Sequence, residues 1–344
     1  MMKIDVFTHI LPSRYLKAIV EKGPTGFRSA DEATRIVPSL TDMDVRFRIM
    51  DKYEDLLQVL TISLPPVESF ADPARAADLA RIANDEMAEL VRKYPDKFAA
   101  AIACLPMNNV EAALQEVDRA ITDLKFRGIQ IFTTVNGKPL DSPEFTPLYE
   151  KMSYYNLPIL LHPRDVGIAE DTRTMDAPPE RVLQDPAGHI AYRTFEWPFE
   201  STIAMSRFVF SGILERLPNL KIITHHCGGM VPYFAKRIAG STDVNEMRKG
   251  FKYPCHLTKK PLEYYRMFYN DTAVYGNTAA LMCGYAFCGA DHLLFATDMP
   301  YDSQLGDRYI RETIRSVQEM NISDSEKEKV FALNAVDLLR LPIM

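Results

Sequence analysis

The sequence predicts a single (β/α)8 barrel with long loops after strands one and five and a C-terminal helical extension. Eight short apolar runs alternate with eight helical patterns along 344 residues. The runs are continuously apolar, as in parallel strands that are buried on both faces. An open doubly wound sheet is the second choice, because no GxGxxG motif follows any of the runs.

Each element is predicted from its own local pattern. Strands are expected at residues 3–7, 57–62, 98–103, 127–132, 158–162, 220–225, 267–271 and 293–297. Helices are expected at residues 73–93, 109–123, 143–155, 203–216, 228–239, 277–288, 307–320 and 324–339. The clearest helix has Asp72 as its N-cap, Pro73 as its first residue and Pro95 just beyond its end.

Two connections are longer than ordinary loops. Residues 10–50 follow the first strand, and residues 163–202 follow the fifth and contain Pro178-Pro179 and Trp197-Pro198. Such loops usually serve as lids, binding segments or oligomer contacts. Both leave the C-terminal ends of strands, where barrel enzymes carry their active sites. We therefore expect one domain over residues 1–344, with these two segments as insertions.

The composition narrows the class of protein. The chain is 47% hydrophobic and has a net charge of −6, which argues against a nucleic-acid partner. Its five cysteines form no CxxC pair, as is typical of reduced thiols in a reducing compartment. The sequence shows no signal-peptide pattern and no long apolar span, so we expect a cytoplasmic protein without a membrane partner.

Polar residues at the predicted strand ends supply a candidate site. His9 follows the first strand, His162 ends the fifth, His225 and His226 end the sixth, and Asp298 ends the eighth. The C-terminal ends of barrel strands converge at one mouth. Imidazole and carboxylate groups together suit a divalent metal such as zinc, and an open coordination position would make the site catalytic.

Four segments carry a resemblance to a known family. They are Asp44–Asp51 (DVRFRIMD), Glu200–Ala204 (ESTIA), His226–Pro232 (HCGGMVP) followed by Arg237, and Thr297–Pro300 (TDMP). The chain resembles, as far as about residue 303, the decarboxylase-like branch of the amidohydrolase superfamily, that of 2-amino-3-carboxymuconate-6-semialdehyde and aromatic acid decarboxylases. The resemblance implies a (β/α)8 barrel, a divalent metal and the loss of CO2 from a small carboxylic acid.

The resemblance also implies roles for individual residues. His162 and Asp298 match metal ligands, and His9 matches the second histidine of a His-x-His motif on the first strand. His226 matches the acid–base residue beside the metal, where Asp298 is the other catalytic group. His225 alternates with His226, so we expect it to point to the other side of the barrel wall as a structural residue.

Substrate contacts are implied at two arginines. Arg46 and Arg237 match residues that hold a substrate carboxylate, and Arg237 is expected to reach in from a neighbouring subunit. This implies a homodimer or a higher homo-oligomer. Trp197, in the long loop after the fifth strand, is a further candidate for contact with a small-molecule carboxylate substrate.

One position departs from the family pattern. Phe7 occupies the first place of the His-x-His motif, and a phenyl ring cannot bind a metal. His9, His162 and Asp298 remain, with His226 or water as a fourth ligand, and three protein ligands plus water suffice for catalytic zinc. A metal-free site is the alternative. The ring of Phe7 is expected to pack against an aromatic substrate or to fill space.

The leading hypothesis is a metal-dependent, non-oxidative decarboxylase of a small unsaturated or aromatic carboxylic acid. A metal-dependent hydrolase or hydratase would use the same residues, with the metal lowering the pKa of its bound water. A non-catalytic binding barrel is a third hypothesis. It is disfavoured because four polar residues are present together at the predicted mouth.

Overall fold

The computed structural model describes residues 1–22, 35–164, 186–250 and 252–342, and only the backbone of residues 186–193. Eight parallel strands alternate with helices. They are β1 (Lys3–Ile10), β2 (Leu56–Ile62), β3 (Phe98–Ala101), β4 (Ile129–Phe132), β5 (Ile159–His162), β6 (Ile222–Thr224), β7 (Tyr269–Asp271) and β8 (Leu293–Leu294).

The strands follow one another around a ring. β1–β3 form one sheet and β4–β8 form another. Isolated bridges join the two sheets at both seams, from Ala103 to Ile129 and from Thr8 to Met299. At the second seam the His9 amide also donates to the Met299 carbonyl at 2.8 Å. The predicted (β/α)8 fold class is confirmed.

Helices connect successive strands and cover the outside of the ring. The N-cap predicted at Asp72 is present, because its carboxylate accepts from the Ala74 and Arg75 amides. The helices are α1 (Ser13–Lys22), α2 (Met43–Met50), α3 (Pro73–Lys93), α4 (Val110–Thr122), α5 (Thr146–Tyr155), α6 (Pro186–Phe210), α7 (Ile213–Arg216), α8 (Val231–Glu246), α9 (Pro261–Tyr265), α10 (Thr278–Cys288), α11 (Asp307–Gln318), α12 (Asp324–Glu328) and α13 (Asn334–Leu339). No helix in the described part of the chain is both long and apolar enough to cross a bilayer.

Some predicted boundaries differ from the structure. α6 begins at Pro186, so the second half of the predicted insertion 163–202 is helical, with Pro198 inside the helix. The predicted helix 324–339 is divided by a π turn at Lys329–Leu333. Pro178-Pro179 and residues 23–34 lie outside the described residues. The single domain over the whole chain remains a prediction.

The strands have two buried faces, as their continuous apolar runs predict. One apolar cluster fills the inside of the ring with alternate strand residues such as Val59, Leu160 and Ile223. Residues of the opposite face, such as Leu60 and Ile131, pack against the surrounding helices. The apolar filling leaves the C-terminal ends of the strands as the place where polar side chains gather.

Candidate active site and metal centre

Three predicted ligands meet at the barrel mouth. His9, His162 and Asp298 are each at most 3% exposed. His9 Nε2 lies 3.1 Å from Asp298 Oδ1, and the His9 and His162 ring centroids are 5.1 Å apart. Strands β1, β5 and β8, distant in sequence, thus bring these side chains together as the sequence predicted. Their roles as ligands stay a prediction.

His162 has a free lone pair. Its Nδ1 lies 2.5 Å from the Pro163 carbonyl, which can only accept, so Nδ1 carries the proton and Nε2 is bare. Burial, and then the neighbouring His9 and His225, lower the pKa of His162 well below its usual value. A neutral buried imidazole of this kind is a ready metal ligand.

His9 also has its proton on Nδ1, and its Nε2 faces Asp298. The Thr61 hydroxyl donates to the Thr8 carbonyl, so it accepts from His9 Nδ1 at 3.3 Å. His9 Nε2 is then a lone pair directed at a carboxylate oxygen 3.1 Å away. Two acceptors this close require a proton or a metal cation between them.

His225 lies in this cluster, so the prediction that it points to the other side of the barrel wall was wrong. The His225 and His226 rings are 3.9 Å apart. Alternation of side chains holds only within a strand, and β6 ends at Thr224. His226 opens a run of four residues with φ between 55° and 76°, which turns both imidazoles to one side.

His225 lies between two buried carboxylates. Its Nδ1 makes a short contact with Asp271, and its Nε2 lies 3.3 Å from Asp298 Oδ1. Burial lowers the pKa of His225, but Asp271 and Asp298 outweigh it and raise the pKa to about 10. Burial likewise favours a neutral Asp298, yet the charge of His225 brings the pKa of Asp298 well below its usual value.

Phe7 is fully buried beside the histidines. Its ring lies parallel to that of His225, with centroids 4.0 Å apart and planes at 13°. The ring centroids of His9 and His162 are both 5.6 Å away. Phe7 therefore forms an apolar wall of the cluster, and contact with substrate remains a prediction.

His226 is linked to Asp298 through Tyr275, a residue the sequence reasoning missed. The Tyr275 hydroxyl donates to Asp298 Oδ2 at 3.0 Å, and His226 Nε2 lies 3.1 Å from the same hydroxyl. Because the hydroxyl has one proton, His226 Nε2 must donate and Nδ1 is a bare lone pair. Burial and the charge of His225 lower the pKa of His226, so the imidazole is poised as a base.

Aromatic side chains border the mouth. The ring centroid of Trp197, on α6, lies 6.0 Å from those of His162 and His226. The ring centroids of Tyr301 and His9 are 5.4 Å apart. The site therefore has a polar floor and a partly exposed aromatic rim, an arrangement that suits a flat substrate with polar substituents.

Arg46 is not placed to hold a substrate, and the structure contradicts that expectation. The side chain is fully buried between α2 and the outer face of β1 and β2. It donates to Gln58 Oε1 and to the His9 carbonyl, both at 2.8 Å. Burial lowers its pKa to about 10. The family match gave the position of this residue but not the direction of its side chain.

Two other arginines lie nearer to solvent. Arg237 is exposed on α8, and its action in a neighbouring subunit remains a prediction. Arg164 lies two residues beyond the end of β5, and its amide donates to the Thr133 hydroxyl at 3.1 Å. Arg164 Nη1 is buried and has no hydrogen-bond partner in the described part of the chain.

The donor set fits a divalent cation. Ligand atoms of His9, His162 and His225 lie within 4.8 Å of one another, and those of His225, His226 and Asp298 do so as well. Two ligands of one zinc ion are at most about 4.2 Å apart, since each bond is about 2.1 Å long. Small shifts of the rings would therefore suffice to bring these atoms onto one ion.

Comparison with known proteins identifies the family. The amidohydrolase family Amidohydro_2 matches residues 4–341. The chain belongs to this amidohydrolase family. Among curated relatives, γ-resorcylate decarboxylase of Polaromonas sp. is 31% identical over 87% of each chain. The 2-amino-3-carboxymuconate-6-semialdehyde decarboxylase of Dictyostelium discoideum is 29% identical over 99% of this chain and 92% of its own.

A solved structure of a relative is also similar to this amidohydrolase over the whole chain. The dihydroxybenzoic acid decarboxylase of Polaromonas sp., solved with manganese and the inhibitor 2-nitroresorcinol, is 27% identical with a TM-score of 0.79. The alignment covers 100% of this chain and 98% of that one. This amidohydrolase therefore groups with metal-dependent decarboxylases of aromatic acids.

Proposed function

We propose that this amidohydrolase is a divalent-metal-dependent, non-oxidative decarboxylase of a small aromatic or unsaturated carboxylic acid. The observation that carries the proposal is the buried cluster of imidazole lone pairs around Asp298, with His226 Nδ1 unpartnered beside it. A metal-dependent decarboxylase uses a cation that holds the substrate and a group that passes a proton to carbon. The cluster offers both.

The metal would be held by His9, His162 and Asp298, and we propose zinc. Imidazole and carboxylate ligands suit zinc, while the Polaromonas relative holds manganese, so the two ions are the ones to compare. When bound, the ion would polarise oxygen substituents of the substrate. Its charge would also neutralise Asp298, a carboxylate 3% exposed.

The residues of the chain would carry the remaining steps. Trp197 and Tyr301 would hold the substrate ring at the mouth, above the cluster. The bond between the ring carbon and the carboxylate then breaks, CO2 leaves, and the electron pair stays on carbon. His226 would take up a proton from solvent at Nδ1 and pass it to that carbon, which returns the imidazole to its neutral form, while the Tyr275 hydroxyl holds Nε2.

The substrate carboxylate needs a partner other than Arg46. We propose Arg164 for this role, because its Nη1 is buried and unpartnered in the described residues and it follows the strand end that carries His162. A guanidinium matches a carboxylate in bidentate geometry. Burying its Nη1 without an acceptor is costly, and a bound carboxylate would remove that cost.

The proposed assembly is a homodimer in the cytoplasm, with Arg237 acting in trans. Arg237 is exposed on α8, and large apolar side chains near it are exposed too: Tyr233 is 79%, Val244 53% and Met247 85% exposed. Apolar exposure of this kind on one helix is typical of a surface that is covered by a partner. A symmetric dimer through α8 would carry each Arg237 into the other subunit.

Product analysis tests the proposed reaction. Small phenolic and unsaturated carboxylic acids would be incubated with the zinc- or manganese-loaded protein in heavy water. We expect release of CO2 and one deuterium at the carbon that lost it, because that carbon takes its proton from solvent through His226. An Asp298→Ala protein, prepared in the same way, serves as the inactive control.

A product that contains water oxygen, with no CO2 released, would contradict decarboxylation. It would identify the protein as the hydrolase or hydratase that the same residues could support. Absence of any turnover over a broad set of such acids, with metal bound, would count against both reactions.

A further inference from the structure

We propose that His225 is a direct ligand of the divalent metal, beside His9, His162 and Asp298. This inference rests on the proposed metal-dependent function and extends it, because the family match assigned the metal to the other three residues alone. The chemistry of the site would then be three imidazoles and one carboxylate, a set that suits zinc or cobalt.

The first support is the way Asp271 orients His225. His225 Nδ1 donates to Asp271, and the other oxygen of that carboxylate accepts from the Cys227 and Ala273 amides at 3.1 and 3.0 Å. Asp271 is therefore fixed, and it fixes the imidazole in turn. Histidines that bind metals usually donate their second nitrogen to a carboxylate or a carbonyl in this manner.

The second support is the unpartnered Nε2 of His225. This atom is fully buried and makes no hydrogen bond in the described part of the chain, although Asp298 Oδ1 is only 3.3 Å away. A histidine that served only as the counter-ion of Asp298 would be expected to donate a well-aligned hydrogen bond to it. The two atoms are close enough to bind one cation, and on binding it His225 Nε2 would release its proton and coordinate through the lone pair.

The third support is the position of His225 among the other donors. Both groups of ligand atoms within 4.8 Å, one with His9 and His162 and one with His226 and Asp298, contain His225. It is the residue common to the two groups. A single ion bound by His225 would therefore lie near the other candidate ligands.

Phe7 completes the arrangement. It stacks on His225 at 4.0 Å, and the ring of His226 lies 3.9 Å from His225 on the adjoining sequence position. Packed between these rings and tied to Asp271, the imidazole has little freedom to turn. Phe7 supplies no ligand atom, but it holds in place a residue that does.

The test is a titration with Co²⁺ of protein freed of metal, followed by its visible absorption. Loss of a partner that orients a ligand weakens metal binding by roughly 10–100-fold. His225→Gln should weaken Co²⁺ binding by more than this, because it removes a ligand. Asp271→Asn, which removes only that partner, should weaken it by about 10–100-fold. His292→Gln is the matched control, since His292 contacts the Phe268 carbonyl and Tyr269 away from the cluster.

A second measurement needs no substitution. Each histidine bound to Co²⁺ gives one strongly shifted imidazole N–H proton signal, provided that this proton is protected from exchange. The Nδ1 protons are protected because each donates a hydrogen bond: that of His9 to Thr61, that of His162 to Pro163 and that of His225 to Asp271. We expect three shifted signals, and two would overturn the inference.

Wild-type affinity for Co²⁺ in His225→Gln would also overturn it, and so would a wild-type protein that binds no Co²⁺. These results are separate from the CO2 assay of the proposed function. Three bound imidazoles in a protein that releases no CO2 would leave His225 as a ligand and refute the decarboxylase. CO2 release by a protein with only two bound imidazoles would support the decarboxylase and refute His225 as a ligand.

Discussion

Two buried polar clusters lie on opposite faces of the same barrel strands. The wall cluster lies outside the ring and consists of Asp5, Arg46, Gln58 and Thr297. The mouth cluster lies at the strand ends inside the ring and consists of His9, His162, His225, His226 and Asp298. Both are withdrawn from water, so burial alone does not distinguish a structural cluster from a functional one.

The hydrogen bonds do distinguish them. In the wall cluster, Asp5 accepts from the Thr297 amide and hydroxyl, and Arg46 donates to Gln58, leaving only Arg46 Nη2 without a partner. In the mouth cluster, His225 Nε2 and His226 Nδ1 are both unpartnered. A satisfied buried network stabilises a fold, whereas buried nitrogen atoms without partners call for a ligand.

The largest effect is expected from the mouth cluster. His226→Asn keeps the size and hydrogen bonding of the side chain but removes its titratable proton. Turnover should fall by about 10²–10⁴-fold, while metal content and the midpoint of thermal unfolding stay near those of the wild type. Steady-state kinetics, elemental analysis and calorimetry check this, and a near-normal rate would refute the assigned role.

The wall cluster should respond in the opposite way. Arg46→Met leaves the Gln58 and His9 oxygens without a donor, so the free energy of unfolding should fall by about 3–5 kcal/mol. The KM of the folded protein should not change, because Arg46 does not reach the mouth. Urea denaturation and kinetics measure both quantities.

Arg164→Met is the matched substitution for this experiment. It should raise KM and leave the free energy of unfolding within about 1 kcal/mol of the wild type. If Arg46→Met raised KM while Arg164→Met did not, the two arginines would have the reverse of the roles proposed here.

The wall cluster should also change the pH dependence of stability. Burial raises the pKa of Asp5 from 3.8 to about 7, against the hydrogen bonds from Thr297 and Phe7. A raised folded-state pKa means that the stabilising contribution is complete below pH 3.8 and is lost as the pH rises through about 7.

Asp5→Asn mimics the protonated carboxyl, so it should remove this loss. The difference in unfolding free energy between wild type and Asp5→Asn should therefore change with pH by up to about 1.4 kcal/mol per unit over that window. Taking the difference cancels other groups, such as Glu68, whose pKa burial also raises to about 7. A constant difference would show that Asp5 stays ionised.

Much of this architecture could be predicted from the sequence. Parallel strands that are buried on both faces leave continuous apolar runs, and such runs located all eight strands. His9, His162 and Asp298 lie at or just beyond the predicted ends of three of these strands, so the convergence of barrel strands predicts that they meet. Strand ends were less well placed, because apolar residues continue past the last ladder hydrogen bond, as after β8 at Leu294.

The errors have equally local causes. His225 was assigned by strand alternation, which fails one residue beyond the end of β6, where positive φ begins. Arg46 was assigned by a sequence match, which carries no information on side-chain direction. Asp271 and Tyr275 were not predicted, although an aspartate within a buried strand is a usable signal of a functional or structural role.

Gly229 allows α6 to approach the loop that carries His226. At its φ of +59°, an added Cβ would lie 2.5 Å from the Pro198 carbonyl oxygen and 2.9 Å from the Thr202 hydroxyl. α6 therefore packs directly on the backbone of this loop, and the ring centroid of its Trp197 lies 6.0 Å from that of His226. The two segments can approach this closely because glycine has no Cβ atom. We expect a larger residue at position 229 to push α6 away from His226 and so to widen the mouth for broader substrates.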